Sequence, residues 1–219
     1  MATARATIDE LVVGDEPEAW RNAGFEVDQD GTSRIGTVRV RLAGHTVGRG
    51  LRAWSLRDVT EVMDANGVPD LDGIRTDVSD RPPAEGASHP NGATMIDHIV
   101  LMSPDGPRTA MALTAATGLD VRRVRDTGSD GVPMQQRFFR MGEVILELVS
   151  PSEPDQGTVR FFGLTFSASD LDYLAGFYGN RLGPIKDAVQ PGRRIATLRH
   201  KELDLSVAVA FMSPEAPRP

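Results

Sequence analysis

No cysteine occurs anywhere in the chain, so disulfides, thiolate nucleophiles and cysteine-held metals are excluded, and a reducing cytoplasm suits it. Long apolar runs are missing too. Nowhere are there eighteen consecutive apolar residues, and residues 1–8 carry no apolar segment after Arg5, so neither a membrane span nor a secretory leader is expected. Positive charge is in deficit. The 24 Lys and Arg face 31 Asp and Glu, a formal net charge of −7, which argues against nucleic acid as a partner held through phosphate contacts. Several catalytic signatures are absent as well: no Gly-Xaa-Ser-Xaa-Gly elbow, no phosphate-binding glycine loop ending in Lys-Ser/Thr, and no His-Glu-Xaa-Xaa-His. Gly48-Arg49-Gly50 is too short to serve as a phosphate loop and reads as a tight bend.

What is present is a threefold internal repeat of strand, helix and three strands. The first copy opens at Ile8-Asp9-Glu10-Leu11-Val12-Val13, has a short helix around Trp20, and continues through Thr37 to Leu42 and Leu51 to Leu56. The second opens at Ile96-Asp97-His98-Ile99-Val100-Leu101, has a helix from about Arg108 to Thr117, and closes at Glu147-Leu148-Val149-Ser150-Pro151. The third opens at Phe162-Gly163-Leu164-Thr165-Phe166, has a helix from Asp170 to Arg181, and closes at Ala210-Phe211-Met212-Ser213-Pro214. The expected organisation is a first module at 1–57, a turn-rich linker at 58–94, paired modules two (95–151) and three (158–214), and a frayed tail at 215–219. With 40% hydrophobic residues the chain has enough apolar surface for a sizeable core.

Alternation along the strands sorts their two faces. One face is bulky and apolar: Ile99, Leu101, Val144, Leu146 and Leu148 in copy two, then Phe162, Leu164, Phe166, Val207, Val209 and Phe211 in copy three. It is expected to pack beneath helices that offer Met111, Leu113, Leu171, Leu174 and Phe177 or Tyr178. The other face carries His98, Glu143 and Glu147 in copy two and small residues, Gly163, Thr165, Ser206, Ala208 and Ala210, in copy three. Small residues leave room, so this face predicts a cup able to hold a small organic molecule. Packing against copy one or a second subunit would use small residues equally well.

The repeat, the Ile-Asp-His-Ile-Val-Leu opening and the Glu-Leu-Val-Ser-Pro ending of copy two resemble the vicinal-oxygen-chelate superfamily, which includes glyoxalase, bleomycin-resistance and dioxygenase members. The resemblance implies an α+β fold of βαβββ modules, two of them pairing into a curved eight-stranded mixed sheet with helices on its convex side. It further implies a divalent metal, iron, manganese, nickel or zinc, held by the first and last strand of each module. His98 and Glu147 occupy two such positions, whereas Gly163 and Ala210 stand where the other two ligands are expected. A degenerate site follows. The implied function is binding a small organic ligand, for sequestration or for metal-independent chemistry with His98 or Glu147 as base. The alternative is a metal-dependent lyase, isomerase or dioxygenase using Glu10, His98 and Glu147, since Glu10 aligns with His98.

Other residues supply further candidates. Thr165 and Ser206 face the expected cup, and Arg140 and Arg194 are assigned to its rim, where a guanidinium could hold a carboxylate or phosphate. For the pair Arg193-Arg194, a surface salt bridge is the competing reading. Phe138 or Phe139 could stack on a planar ligand or fill the core. His45, His89 and His200 fall in turns or the linker and are expected in solvent. Copy one has no partner module, so its exposed apolar face and edges predict a homodimer, in the extreme a dimerising scaffold.

Overall fold

The computed structural model describes residues 5–60, 63, 67, 70–128 and 132–214; the expected tail at 215–219 lies outside them. The first sheet is built from β1 (Thr7–Val13), α1 (Pro17–Asn22), β2 (Thr32–Ile35), β3 (Val38–Leu42), β4 (Leu51–Arg57), β5 (Asp70–Leu71) and β6 (Ile74–Val78), in the order β2-β3-β1-β4-β6-β5. The second is built from β7 (Ala93–Met102), α2 (Gly106–Thr117), β8 (Arg123–Thr127), β9 (Met134–Met141), β10 (Val144–Pro151), β11 (Arg160–Ala168), α3 (Leu171–Tyr178), β12 (Lys186–Asp187), β13 (Arg194–Thr197) and β14 (Ala208–Met212). Its order is β12-β13-β14-β11-β7-β10-β9-β8. Modules two and three therefore pair through β7 and β11, as the repeat predicts.

The helices start and stop where local chemistry dictates. Asp105 caps α2 by accepting from the Arg108 amide at 3.0 Å, and Gly118 ends it in the left-handed region at φ 66°. Asp170 caps α3 through the amides of Asp172 and Tyr173. Leu113, Leu171, Leu174 and Tyr178 are buried as expected, but Met111 is 68% exposed because Thr109, Ala110, Leu113 and Ala116 form the inward stripe of α2.

Copy one keeps its element order but not the pairing expected of its last strand. β10 runs parallel to β7, whereas β4 runs antiparallel to β1 and so takes the place that β11 takes beside β7. Residues 58–94, expected as a linker, complete that half: β6 pairs parallel with β4, and β5 closes on β6. Both sheets thus share one plan, an antiparallel central pair flanked by parallel partners. Beyond β6 the chain wraps back over copy one. The Ala84 amide donates to the Thr37 carbonyl at 3.0 Å, and Asn91 Nδ2 donates to the Ala23 carbonyl at 3.0 Å. His89, expected in solvent, is buried there, its Nδ1 accepting from the Glu26 amide at 2.9 Å.

A β-bulge marks the first strand of each copy. Pairing skips Asp9 between Ile8 and Glu10, Asp97 between Ile96 and His98, and Phe162 between Phe161 and Gly163. A bulge turns the skipped side chain out of the strict alternation. That is why Phe162, assigned to the apolar face, is 52% exposed while Leu164, Phe166, Val209 and Phe211 are buried. It also gives physical support to aligning Glu10, His98 and Gly163, since each follows the bulge.

The two sheets share one apolar core. Phe25 of copy one packs at 4.9 Å between ring centroids from Phe166 and stacks at 6.4 Å on Phe211, and Trp20 meets Phe166 edge-on at 6.3 Å. Full burial of each such ring stabilises the fold by roughly 1.5–3 kcal/mol. The apolar face of copy one is therefore covered within the chain, which removes the reason for expecting a second copy to cover it.

Candidate functional site

The concave face of the eight-stranded sheet encloses a cavity of about 740 Å³, with His98, Gln136, Phe138, Ile145, Glu147 and Thr165 among its walls. Strand register brings these together: His98 on β7 lies opposite Ile145 on β10 and Thr165 on β11, and Glu147 lies opposite Phe138 on β9. Of the two phenylalanines weighed, Phe138 faces the cavity side and Phe139 is 1% exposed in the core.

His98 is only 3% exposed. Its Nδ1 lies 2.5 Å from Asp97 Oδ1. The bulge makes this contact, because it places two successive side chains on the same side. Asp97 is itself buried, bonded by Arg193 Nη2 and, at 2.8 Å, by Ser167 Oγ. Burial alone would push its carboxyl up, but contacts from His98, Arg193 and Ser167 hold it well below the usual carboxylate range. Beside this group, Glu147 Oε1 accepts from Gln136 Nε2 at 2.6 Å. Burial pushes the Glu147 carboxyl above its ordinary value, with His98, Gln136 and Arg125 offsetting part of the effect. Gln136 Oε1 is buried without a partner.

Not every expected residue belongs to this cup. Arg194 points away from it and pairs with Asp172 of α3 at 2.9 Å, because Ile195, the next residue, is the one lining the cavity. Its neighbour Arg193 is the inward arginine, 4% exposed and committed to Asp97. Ser206 is taken up in the contact between copies one and three: its hydroxyl bonds the buried Asp15 and accepts from the Gly50 amide at 2.6 Å. Arg140 lies at the cavity mouth and donates to the Gly142 carbonyl at 2.8 Å. Thr165 lines the cavity.

Glu10 is not brought to His98 and Glu147. It sits in the other sheet, where its carboxylate accepts from Arg41 Nε at 2.9 Å and Arg81 Nη2 at 2.8 Å. Next to it the bulged Asp9 is buried under Arg39, Arg57 and Arg81. Ion pairs fill the face of the six-stranded sheet that corresponds to the cup.

No protein-family model and no curated protein sequence matches the chain, so its likeness to known proteins is carried by structure. A triple mutant of 4-hydroxymandelate synthase from Streptomyces coelicolor superposes with a TM-score of 0.63, over 99% of this chain and 94% of that one, at 14% identity. The chain shares the fold of that synthase. A fusion of a xylose isomerase-like TIM barrel with 4-hydroxyphenylpyruvate dioxygenase matches at a TM-score of 0.59 and 14% identity, over all of this chain and 50% of its own. Methylmalonyl-CoA epimerase from Mycobacterium tuberculosis overlaps 57% of this chain and 91% of its own at 15% identity, with a TM-score of only 0.46.

The donor set of the cup does not fit a resident metal. His98 and Glu147 are present, but the position after the bulge in copy three is Gly163, where an added Cβ would lie 2.7 Å from the Ala208 carbonyl oxygen. No side-chain ligand has room there. Among the described residues no group of three His, Asp or Glu side chains converges with metal-holding geometry, and two ligands fall short of the three that catalytic centres ordinarily use.

Sequence reasoning missed Asp97 and Gln136, and of the pair Arg193-Arg194 it chose the outward one. One signal for the first was in plain view. The Ile-Asp-polar triplet occurs at both Ile8-Asp9-Glu10 and Ile96-Asp97-His98, and in both places the Asp is the bulged residue neutralised by arginine.

Proposed function

We propose that this protein binds a small organic molecule in the cup of the eight-stranded sheet, with His98 and Glu147 holding its polar end and no resident metal between them. The observation that carries this reading is the reduced floor: one buried imidazole and one half-buried carboxylate lining the same cavity, opposite a half of the cup where Gly163 admits no ligand. A carboxyl pushed upward by burial is suited to taking or giving a proton near neutral pH. That favours metal-independent proton transfer over sequestration alone. Asp97, anchored by Arg193, would fix the orientation of the His98 ring.

The test combines metal analysis of untagged protein with ligand screening by thermal shift on wild type, His98→Ala and Glu147→Gln. The reading expects far less than one metal per chain, ligands whose stabilisation is lost in His98→Ala, and solvent-deuterium exchange into a bound ligand that Glu147→Gln abolishes while binding persists. Stoichiometric metal that disappears in His98→Ala would overturn it.

A further inference from the structure

The mouth of the cup carries charge of the opposite sign to the rest of the molecule. In a chain of net charge −7, the cavity is lined by Arg122, Arg123, Arg125, Arg140 and Lys186, against only Glu147 and Asp187. Many arginines elsewhere are paired with carboxylates, among them Arg34 with Asp28, Arg49 with Asp204, Arg57 with Asp9, Arg108 with Asp72 and Arg193 with Asp97. Among the described residues none of the five cations at the mouth is ion-paired, although Asp126 and Asp187 are close along the chain. Like charges are placed together here at a cost in self-repulsion, and low-dielectric walls focus their field into the cavity.

Strand geometry explains how they converge. β8 is the edge strand next to β9, and its register sets Arg123 opposite Phe138 and Arg125 opposite Gln136, so both arginines share the face that carries the cavity wall. Lys186 approaches from the opposite lip on β12. Below them lies the buried, unpartnered Gln136 Oε1, an acceptor waiting for a donor.

We infer that the cup takes an organic anion whose carboxylate or phosphate groups lie against Arg122, Arg123 and Arg125 and whose hydroxyl or N–H donor reaches Gln136 Oε1. This rests on the small-molecule reading of the same cup and adds the ligand's chemical class and its orientation. Arginine forks match both carboxylate and phosphate, and several cations at one mouth suit a ligand with more than one negative charge. The field also predicts faster capture at low ionic strength, with both rate and affinity falling as salt screens the mouth.

Calorimetric titration with inorganic pyrophosphate and with citrate, at low and high salt, tests this on wild type, an R123Q/R125Q variant and an R52Q/R75Q control. The control removes the same charge from exposed positions of the six-stranded sheet. The inference expects at least one probe to bind wild type, to weaken by about tenfold or more in R123Q/R125Q, and to change less than about twofold in the control. The tighter probe tells phosphate from carboxylate recognition. Binding of neither probe, or equal weakening in both variants, overturns it. A neutral fragment that still binds R123Q/R125Q and is lost in His98→Ala would show that the anion assignment alone had failed and the cup had not.

Discussion

Replacing Asp97 by Ala removes the carboxylate on which a buried arginine depends. Arg193 is 4% exposed and would keep only its bond from Nε to the Ser213 carbonyl, 2.7 Å away, so its charge would be stranded beside His98. Breaking such a pair from one side costs about 3–5 kcal/mol, because the remaining ion keeps its desolvation penalty without its partner. For a chain of this size that lowers the melting temperature by roughly 6–20 °C. Replacing both members, in D97L/R193M, removes both penalties and should recover most of the loss. The pH dependence has a definite sign. Because Asp97 is held below its ordinary value, its contribution is complete above the unfolded value of 3.8 and is lost as pH falls below that. Urea unfolding followed by circular dichroism at pH 7 and pH 3 measures both effects. A loss under about 1 kcal/mol in Asp97→Ala, or a double variant as unstable as the single one, would refute the reasoning.

Glu147 has the opposite sign: its folded value is raised by burial, so stability falls as pH rises through the window that begins at 4.5. Glu147→Gln should therefore melt higher than wild type at pH 7 and no higher at pH 4, read by differential scanning calorimetry. Gly163→Ala should destabilise the fold by about 1–3 kcal/mol through overpacking against Ala208, and Gly163→His should lose at least as much without gaining metal affinity in equilibrium dialysis. Tyr178→Phe removes a buried hydroxyl that donates to the Ala23 carbonyl at 2.7 Å and accepts from Asn91 Nδ2 at 3.2 Å. It should cost about 0.5–1.5 kcal/mol in denaturant unfolding, because two hydrogen bonds are lost while Asn91 Nδ2 and the Ala23 carbonyl stay bonded to each other.

The eight-stranded sheet was legible because modules two and three obey the period of their elements. Val144, Leu146 and Leu148 alternate cleanly into the core, while Ile145 and Glu147 face the cup. Copy one was harder to read, since nothing in the alternation of Leu51 to Leu56 tells whether that strand runs parallel or antiparallel to β1. Its partner β6 lies among turn-forming residues that look like a linker. The errors of facing at Phe162 and of omission at Asp97 share one cause, because a bulge adds a residue that strict alternation cannot anticipate. Choosing Arg194 over Arg193 was a one-residue slip in where β13 begins. The strand starts at Arg194, which sends Ile195 into the cup and Arg194 toward α3. Gln136 was invisible for another reason: an amide on a strand carries no sequence mark until the register places it beside Glu147.

The most direct test of the central claim is a chemical-shift map on isotope-labelled protein, titrated with a mixed set of neutral and anionic fragments. The account predicts perturbations clustered at His98, Gln136, Glu147 and Thr165, on the floor and wall of the eight-stranded cup. Perturbations clustered instead around Glu10 on the six-stranded sheet, or in the second cavity beside Arg49 and Ser206, would contradict it.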